Sequence, residues 1–257
     1  MINLYDYPDL YFSLFEPSLS VQNWVEKNLH HYFPDGVDLF LEPACGPGFW
    51  INKIKSNYFL GVDINSNAIR WAQQNIEKTN GEFVVGNMKE LEKYTNAKFD
   101  LVLNLESTIG HLNSLADVYI HLKSVRNIIS DKGYYFLGVP LINDYFQDKI
   151  NSISYKTNPV KLKTYGYGFL EMSSSFKHNN KNTLRLSYKI KVIGNSNYQD
   201  EILCNLDLIS YDAMEMTKII KDSRFEICEV NYVQFPDNPT SKSLYNLGIV
   251  SLILKPI

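Results

Sequence analysis

The residues best suited to chemistry fall in four short clusters, each closing an apolar run. Leu41-Glu-Pro-Ala-Cys-Gly-Pro-Gly-Phe49 sets a carboxylate, Glu42, ahead of two glycines, Gly46 and Gly48. Glycine has no Cβ, so the backbone at both positions can approach a bound molecule closely. Glu42 stands where a cationic amine could be held. Asp63 ends the next run, where a carboxylate can accept hydrogen bonds from both hydroxyls of a ribose. Gly86-Asn-Met88 and Asn104-Leu-Glu-Ser-Thr-Ile-Gly-His-Leu112 follow two further runs. His111 could take up or relay a proton. Three of them also have a plainer reading: a tight turn at Gly46 and Gly48, a helix N-cap at Asp63, a packing or capping residue at His111.

Positioning these clusters requires strand ends on one edge of a sheet. Val37–Glu42, Tyr58–Asp63, Glu82–Gly86, Phe99–Asn104 and Gly133–Val139 read as five short strands, mostly continuous apolar runs. Between them, 67–78 carries Ala68, Ile69, Ala72 and Ile76 at helical spacing. Residues 115–129 repeat the pattern with Leu115, Val118, Leu122, Val125 and Ile129. Strands alternating with helices imply βαβ units and a parallel sheet covered on both faces. Ligands of such sheets bind outside the carboxyl ends of the strands, so the four clusters define one cleft.

The character changes after Pro140. Residues 184–192 alternate strictly, with Leu184, Leu186, Tyr188, Ile190 and Val192 on one face and Arg185, Lys189 and Lys191 on the other. With 165–176 and 201–209 this predicts a small antiparallel sheet. A helix is expected over 211–221, with Met214, Ile219 and Ile220 apolar. Strands at 225–235 and 245–254 should form an antiparallel pair at one sheet edge.

The clusters together resemble the class I S-adenosylmethionine (SAM)-dependent methyltransferases. Glu42-Pro-Ala-Cys-Gly-Pro-Gly48 is similar to their first motif, E/D-x-x-x-G-x-G, and Gly61-Val-Asp-Ile64 to the acidic second motif. Gly86-Asn-Met88 resembles G-D-M. Phe99 to Leu112 resembles the F-D-x-V strand and S-S-I-G-Y-L of amino-sugar N,N-dimethyltransferases and glycine/sarcosine-type methyltransferases. Leu4-Tyr-Asp-Tyr-Pro-Asp-Leu-Tyr11 is similar to the Y-D-x-x-x-x-Y segment that folds over SAM in that group. The likeness covers about residues 1–142 well and 205–257 loosely. Three positions depart from it: Asn87 replaces an Asp, His111 an aromatic residue, and Pro47 stands between the glycines.

This resemblance implies an α/β fold, a Rossmann-like, mostly parallel sheet with an antiparallel last strand; it does not identify the segment after Pro140, which the alternating pattern makes an inserted small antiparallel sheet. Residues 1–142 and 210–257 would form the SAM-binding core and 143–209 the insertion. It implies SAM as cofactor, with Ala44, Gly46 and Gly48 around its methionine portion and Glu42 nearby. Asp63 would hold the ribose. Ile64, Asn87 and Met88 would surround the adenine, Asn104 and Leu105 would lie near the sulfonium, and Tyr11 would close the site. An amide oxygen at Asn87 can still accept from the adenine amino group. A dinucleotide reading of the first loop fails, because G-x-G-x-x-G needs a third glycine where Ile51 stands.

The expected activity is methyl transfer to a small or medium-sized acceptor, read as an amine nitrogen. His111 and Tyr11 are the candidate catalytic residues. An O-methyltransferase, a peptide-modifying enzyme and a non-catalytic SAM- or partner-binding module stay open. Between 149 and 191 stand nine Lys or Arg and one acid, Glu171, in a chain of net charge −3. That basic segment, with Lys156, Lys161, Lys163, Lys177 and Lys181 beside Arg185, Lys189 and Lys191, could form an electropositive wall for an anionic acceptor. It could equally be a solvated face. The remaining chain is acidic and has no visible RNA-binding domain, which argues against a nucleic-acid partner.

The apolar face of 184–192 needs a cover, either the core or a second subunit, so a homodimer is an open expectation. Cys45, Cys204 and Cys228 form no metal-type spacing, so no metal site is expected. Their sparse, odd number suits a reducing compartment and buried, inert thiols. His30 and His31 are expected on the surface. The N-terminus shows no basic region before an apolar run, and no stretch approaches the ~20 apolar residues that span a bilayer. A cytoplasmic location is the default expectation.

Overall fold

The computed structural model describes residues 4–141, 154–156, 159–162, 166–177, 183–194, 201–232 and 249–257. Five strands run parallel: β1 (Val37–Pro43), β2 (Ser56–Asp63), β3 (Gly81–Val85), β4 (Phe99–Asn104) and β5 (Ile129–Pro140). Near the C-terminus, β11 (Phe225–Tyr232) and β12 (Ile249–Pro256) pair antiparallel, and β12 also lies antiparallel to β5. The sheet order is β11-β12-β5-β4-β1-β2-β3. Its order reverses at β1, between β4 and β2, and such a switch point opens a crevice at the strand ends.

Both faces of the sheet are covered. Helices α2 (Leu19–Tyr32), α3 (Phe49–Lys53) and α4 (Ser66–Asn75) bring Val21, Trp24, Ile51, Ile69 and Ala72 against Phe40, Phe59 and Leu101. On the other face α5 (Leu115–Ile128) and α6 (Ala213–Asp222) bring Val118, Leu122, Val125, Met216 and Ile220 against Leu41, Val102 and Leu137. Burial on both faces is why these strands read as continuous apolar runs. Side chains set the helix starts. Ser18, Asn65, Ser114 and Asp212 each accept a backbone N–H from the first turn of α2, α4, α5 and α6. Met214, expected among the apolar positions of α6, is 80 % exposed, and Met216 takes the buried place.

Between β5 and α6 lies a second, antiparallel sheet. Strands β8 (Tyr167–Lys177), β9 (Thr183–Ile193) and β10 (Glu201–Ile209) are its body, and β6 (Ser154–Lys156) and β7 (Val160–Lys161) pair with β8. Leu186, Tyr188, Ile190 and Val192 of β9 are buried; the Leu184 side chain lies outside the described set. Their cover comes from this same chain. Leu4, then Leu10 and Leu14 of α1 (Pro8–Leu14), and Phe15 join them in one core cluster.

The outer face of β9 carries ion pairs. Arg185 bonds Asp207 at 2.7 and 2.5 Å, and Lys189 meets Glu201 at 2.8 Å. Lys161 and Lys191 are exposed, while Lys156, Lys163, Lys177 and Lys181 have no described side chain. The end of the strand expected at 225–235 and the start of the one expected at 245–254 also lie outside the described residues. Cys45 and Cys204 are buried as expected, but Cys228 is exposed at an edge strand. His30 and His31 are exposed in the last turn of α2. Among the described residues, no helix is long and apolar enough to cross a membrane, and no His, Cys, Asp or Glu cluster suits a metal ion.

Candidate active site

The carboxyl ends of β1, β2, β3 and β4 open into one cleft of about 790 Å³, within the range usual for small-ligand sites. Its floor is the turn after β1. Gly46 N–H donates to Asp63 Oδ2 at 2.7 Å, and Asn65 N–H donates to Asp63 Oδ1 at 2.7 Å. One carboxylate thus fixes the first loop against the end of β2. Burial raises the Asp63 pKa, and the two N–H donors oppose that rise. Gly46 holds φ +53°, and a Cβ there would meet no atom nearer than Tyr11 at 4.0 Å. The glycine therefore leaves room facing the cleft.

Glu42 is buried behind this loop and accepts Ile51 N–H at 3.1 Å. Burial pushes its carboxyl well above the usual carboxylate range. Ala44 lines the cleft at φ 53°, a strained value for a residue with a side chain. Ile64 lies on the rim, 76 % exposed, an apolar surface open to an apolar ring. Asn87 and Met88 follow β3 along the same wall. Asn87 Oδ1 accepts Lys89 N–H at 3.0 Å, which leaves one of its two lone pairs. Asn104 donates to Pro43 O at 2.7 Å, tying β4 to the first loop, and Leu105 lies beside it.

The N-terminal segment covers this floor. Tyr11 faces the cleft and stacks on Phe15, with centroids 5.0 Å apart at 9°. Phe15 in turn meets the edge of Tyr188 on the second sheet at 5.2 Å. Asn65 Nδ2 donates to Tyr5 O at 2.9 Å, and Tyr5 Oη lies 2.8 Å from His111 Nε2. Surrounding protein removes enough solvation from His111 to lower its pKa to about 4, although the residue is exposed at the surface. The imidazole is neutral at pH 7.

Of the residues expected from sequence, Tyr11, Glu42, Ala44, Gly46, Asp63, Ile64, Asn87, Met88, Asn104, Leu105 and His111 all line the cleft. Gly48 does not. A Cβ there would come within 3.0 Å of Phe83, and its φ is +84°. A side chain at Gly48 would press into the core at Phe83 and Ile76. Of the expected electropositive wall, the Lys156, Lys163, Lys177 and Lys181 side chains lie outside the described residues. The described residues of the second sheet that line the cleft are Leu186, Tyr188, Asn205, Leu206 and Leu208, and none of Arg185, Lys189 or Lys191 does. The basic side chains alternate onto the far face of β9, where two of them meet acids of β10.

Sequence reasoning missed Tyr5, Trp50, Glu106, Ser107 and Tyr188, all of which line the cleft. Tyr5 carries a signal, as the first tyrosine of the Y-D-x-x-x-x-Y segment. Glu106 and Ser107 sit inside a quoted motif, but their burial is not visible in sequence. Trp50 and Tyr188 read as core residues, and nothing local marks them.

Residues 40–133 match the methyltransferase domain family. No protein of curated function matches the sequence. Several solved structures match along the whole length. A SAM-dependent methyltransferase from Clostridium acetobutylicum ATCC 824 is 15 % identical, with TM-score 0.71 and 99 % of each chain covered. DesVI of Streptomyces venezuelae is 12 % identical, with TM-score 0.70 and all of both chains covered. A SAM-bound amino pentose methyltransferase of calicheamicin biosynthesis, from Micromonospora echinaspora, is 14 % identical, with TM-score 0.68 and the same full coverage. At these identities the likeness is one of fold: the Rossmann-like class I methyltransferase fold.

Proposed function

We propose that this protein, a SAM-dependent methyltransferase by its domain and its fold, methylates an amine nitrogen on a small or medium-sized acceptor. The observation that carries the acceptor reading is the set of ionisable groups in the cleft, carboxyls that a bound cation would draw into their charged form. Its acidic lining residues are Glu42, Asp63 and Glu106, against one Lys, Lys89, which is paired with Asp117 at 2.6 Å. Such a site favours a cation over an anion. Amine methylation is also the activity of neighbours of the same fold, which include a sugar N-methyltransferase and a glycopeptide N-methyltransferase.

The residues present fit SAM. The open space over Gly46, the carboxylate of Asp63, the apolar rim at Ile64 and the acceptors at Asn87 and Asn104 suit its methionine, ribose, adenine and sulfonium ends in turn. SAM supplies a methyl carbon already activated by its sulfonium, so alignment is the main task left to the protein. Tyr11, over Gly46, closes the site and excludes water. The neutral His111, bonded to Tyr5 at the mouth, relays a proton outward. Hydroxyl methylation is the second reading, favoured by this same pair, since a neutral imidazole can deprotonate an alcohol.

Calorimetric titration with SAM and its demethylated product tests the cofactor assignment. Micromolar affinity in the wild type should fall by roughly ten- to a hundredfold in Asp63→Ala, the scale of one or two charge-assisted hydrogen bonds. Mass spectrometry of matched amine and alcohol acceptors then assigns the methylated atom. Methylation of alcohols alone would reject the amine reading, and no SAM binding would reject the function.

A further inference from the structure

Four side-chain oxygens at the end of β4 have no partner among the described residues: Asn104 Oδ1, Glu106 Oε1, Glu106 Oε2 and Ser107 Oγ. All four are buried, and all three residues line the cleft. Buried acceptors without partners are few in folded proteins and call for a cause. The backbone is strained at the same place. Glu106 and Ser107 hold left-handed φ values of 59° and 60°, and neither is glycine. Strain of this kind persists only where the surroundings enforce it, and it gathers at ligand sites. Gly138 on β5 helps enforce it, because a Cβ there would come within 2.9 Å of Glu106 N.

The complement of clustered acceptors is a group rich in donors. An alkylammonium offers three N–H donors and a positive charge, and such charge-assisted bonds are the strong ones. Lys89 does not meet the need, since its ammonium is taken by Asp117. Resting on the amine-methyltransferase reading, we propose that Asn104, Glu106 and Ser107 form the seat of the acceptor's amine, with Glu106 holding the ammonium and receiving its proton.

Burial alone raises the Glu106 carboxyl to about 8, a value suited to proton exchange near neutral pH. Binding of R–NH3+ favours the ionised form of Glu106, whose own proton leaves to solvent, so the acceptor sits as R–NH3+ against the Glu106 carboxylate. One N–H bond breaks, its proton forms an O–H bond on Glu106, and the nitrogen keeps the electron pair. That pair forms the N–CH3 bond as the S–CH3 bond breaks toward sulfur. The products are R–NH2CH3+, a neutral thioether and protonated Glu106, which later returns its proton to solvent. Leu186 and Tyr188, opposite in character, offer the body of the acceptor an apolar wall.

The test compares wild type with Glu106→Gln, which keeps the shape and removes the charge. Cyclohexylamine, phenethylamine and glucosamine are titrated against cyclohexanol, phenethyl alcohol and glucose, with and without saturating S-adenosylhomocysteine. At least one amine should bind wild type more tightly than its neutral partner and lose about tenfold or more in the variant. Cofactor affinity should change less than about threefold, well under one such bond. Ser107→Ala, a milder change, should weaken the same amine by a smaller factor. Equal binding of every amine to wild type and Glu106→Gln would overturn the proposal. So would an equal loss of cofactor affinity, which would give these oxygens to the amino group of SAM itself. Failure of the SAM reading would register separately, as no cofactor binding to the wild type, and would take this proposal with it.

Discussion

Single carboxylates carry most of the electrostatic design of the cleft, and their burial has a cost in the empty protein. Glu106 is the clearest case. Its folded pKa of about 8 lies above the ordinary glutamate value near 4.3. The native state therefore binds more protons than the unfolded state between those values, and stability falls as pH rises through that window. Above about pH 8 the full penalty is present; below about pH 4.3 it is absent. Glu106→Gln removes the ionisable group. The variant should melt several degrees above wild type at pH 8.5 and close to it at pH 5, since about 1 kcal/mol moves Tm by 2–4 °C at this size. The other titratable groups lining the cleft are Tyr5, Tyr11, Glu42, Cys45, Asp63, Lys89, His111 and Tyr188, so the comparison is made between variant and wild type at each pH. A lower melting point for the variant at pH 8.5 would contradict the burial assigned to this carboxylate.

At the scale of elements, the cleft depends on how α5 is locked to the turn after β3 and to β5. His121 of α5 is fully buried. Its Nδ1 lies 2.8 Å from Met88 O and its Nε2 2.7 Å from Tyr135 Oη. A carbonyl only accepts, so Nδ1 carries the proton and Nε2 accepts from the tyrosine hydroxyl. Burial lowers the His121 pKa to about 4, against a smaller opposing effect of the bond to Met88. The native state thus binds fewer protons than the unfolded state between about 4 and 6.5. This stabilisation is complete above pH 6.5 and is lost as pH falls toward 4. His121→Leu strands the Met88 carbonyl and the Tyr135 hydroxyl. It should cost about 1–3 kcal/mol at pH 7 by urea unfolding, and the gap should narrow at pH 5. A gap that widens toward pH 5 would mean that His121 is charged in the native state. Met88 borders the cleft, so the variant should also bind SAM more weakly.

At the scale of the molecule, three bodies share one cavity: the strand ends of the first sheet, the N-terminal segment and the inner face of the second sheet. The segment is tied to both sheets, through Tyr5 to Asn65 and His111 and through Phe15 to Tyr188. A ligand that touches all three binds only the native state and stabilises it by mass action. At a hundredfold excess over Kd this contributes about 2.7 kcal/mol, or roughly 5–10 °C in Tm. Melting curves at rising S-adenosylhomocysteine should show that shift in wild type. An unchanged Tm at saturating product would remove the cofactor from this cleft.

The sequence by itself determined the order of strands and helices, the cleft at the strand ends and part of its lining. These follow from local physics: apolar runs mark strands buried on both faces, helical spacing marks their covers, and glycines and acids mark the turns between. Even the antiparallel pair near the C-terminus is legible in this way. Tertiary structure decided what local patterns do not encode. Tyr5 and His111 meet across 106 positions, and Trp24 reaches Glu229 across 205. Gly48 looks like Gly46 in the motif, yet one abuts Phe83 and the other faces open space, because only the packed helix and strand define their surroundings. Alternation showed that β9 has a basic and an apolar face, but the fold chose which one faces the cleft. The acidity of Glu106 was fixed last, because desolvation is a property of the assembled walls around a side chain and not of the residues beside it in the chain.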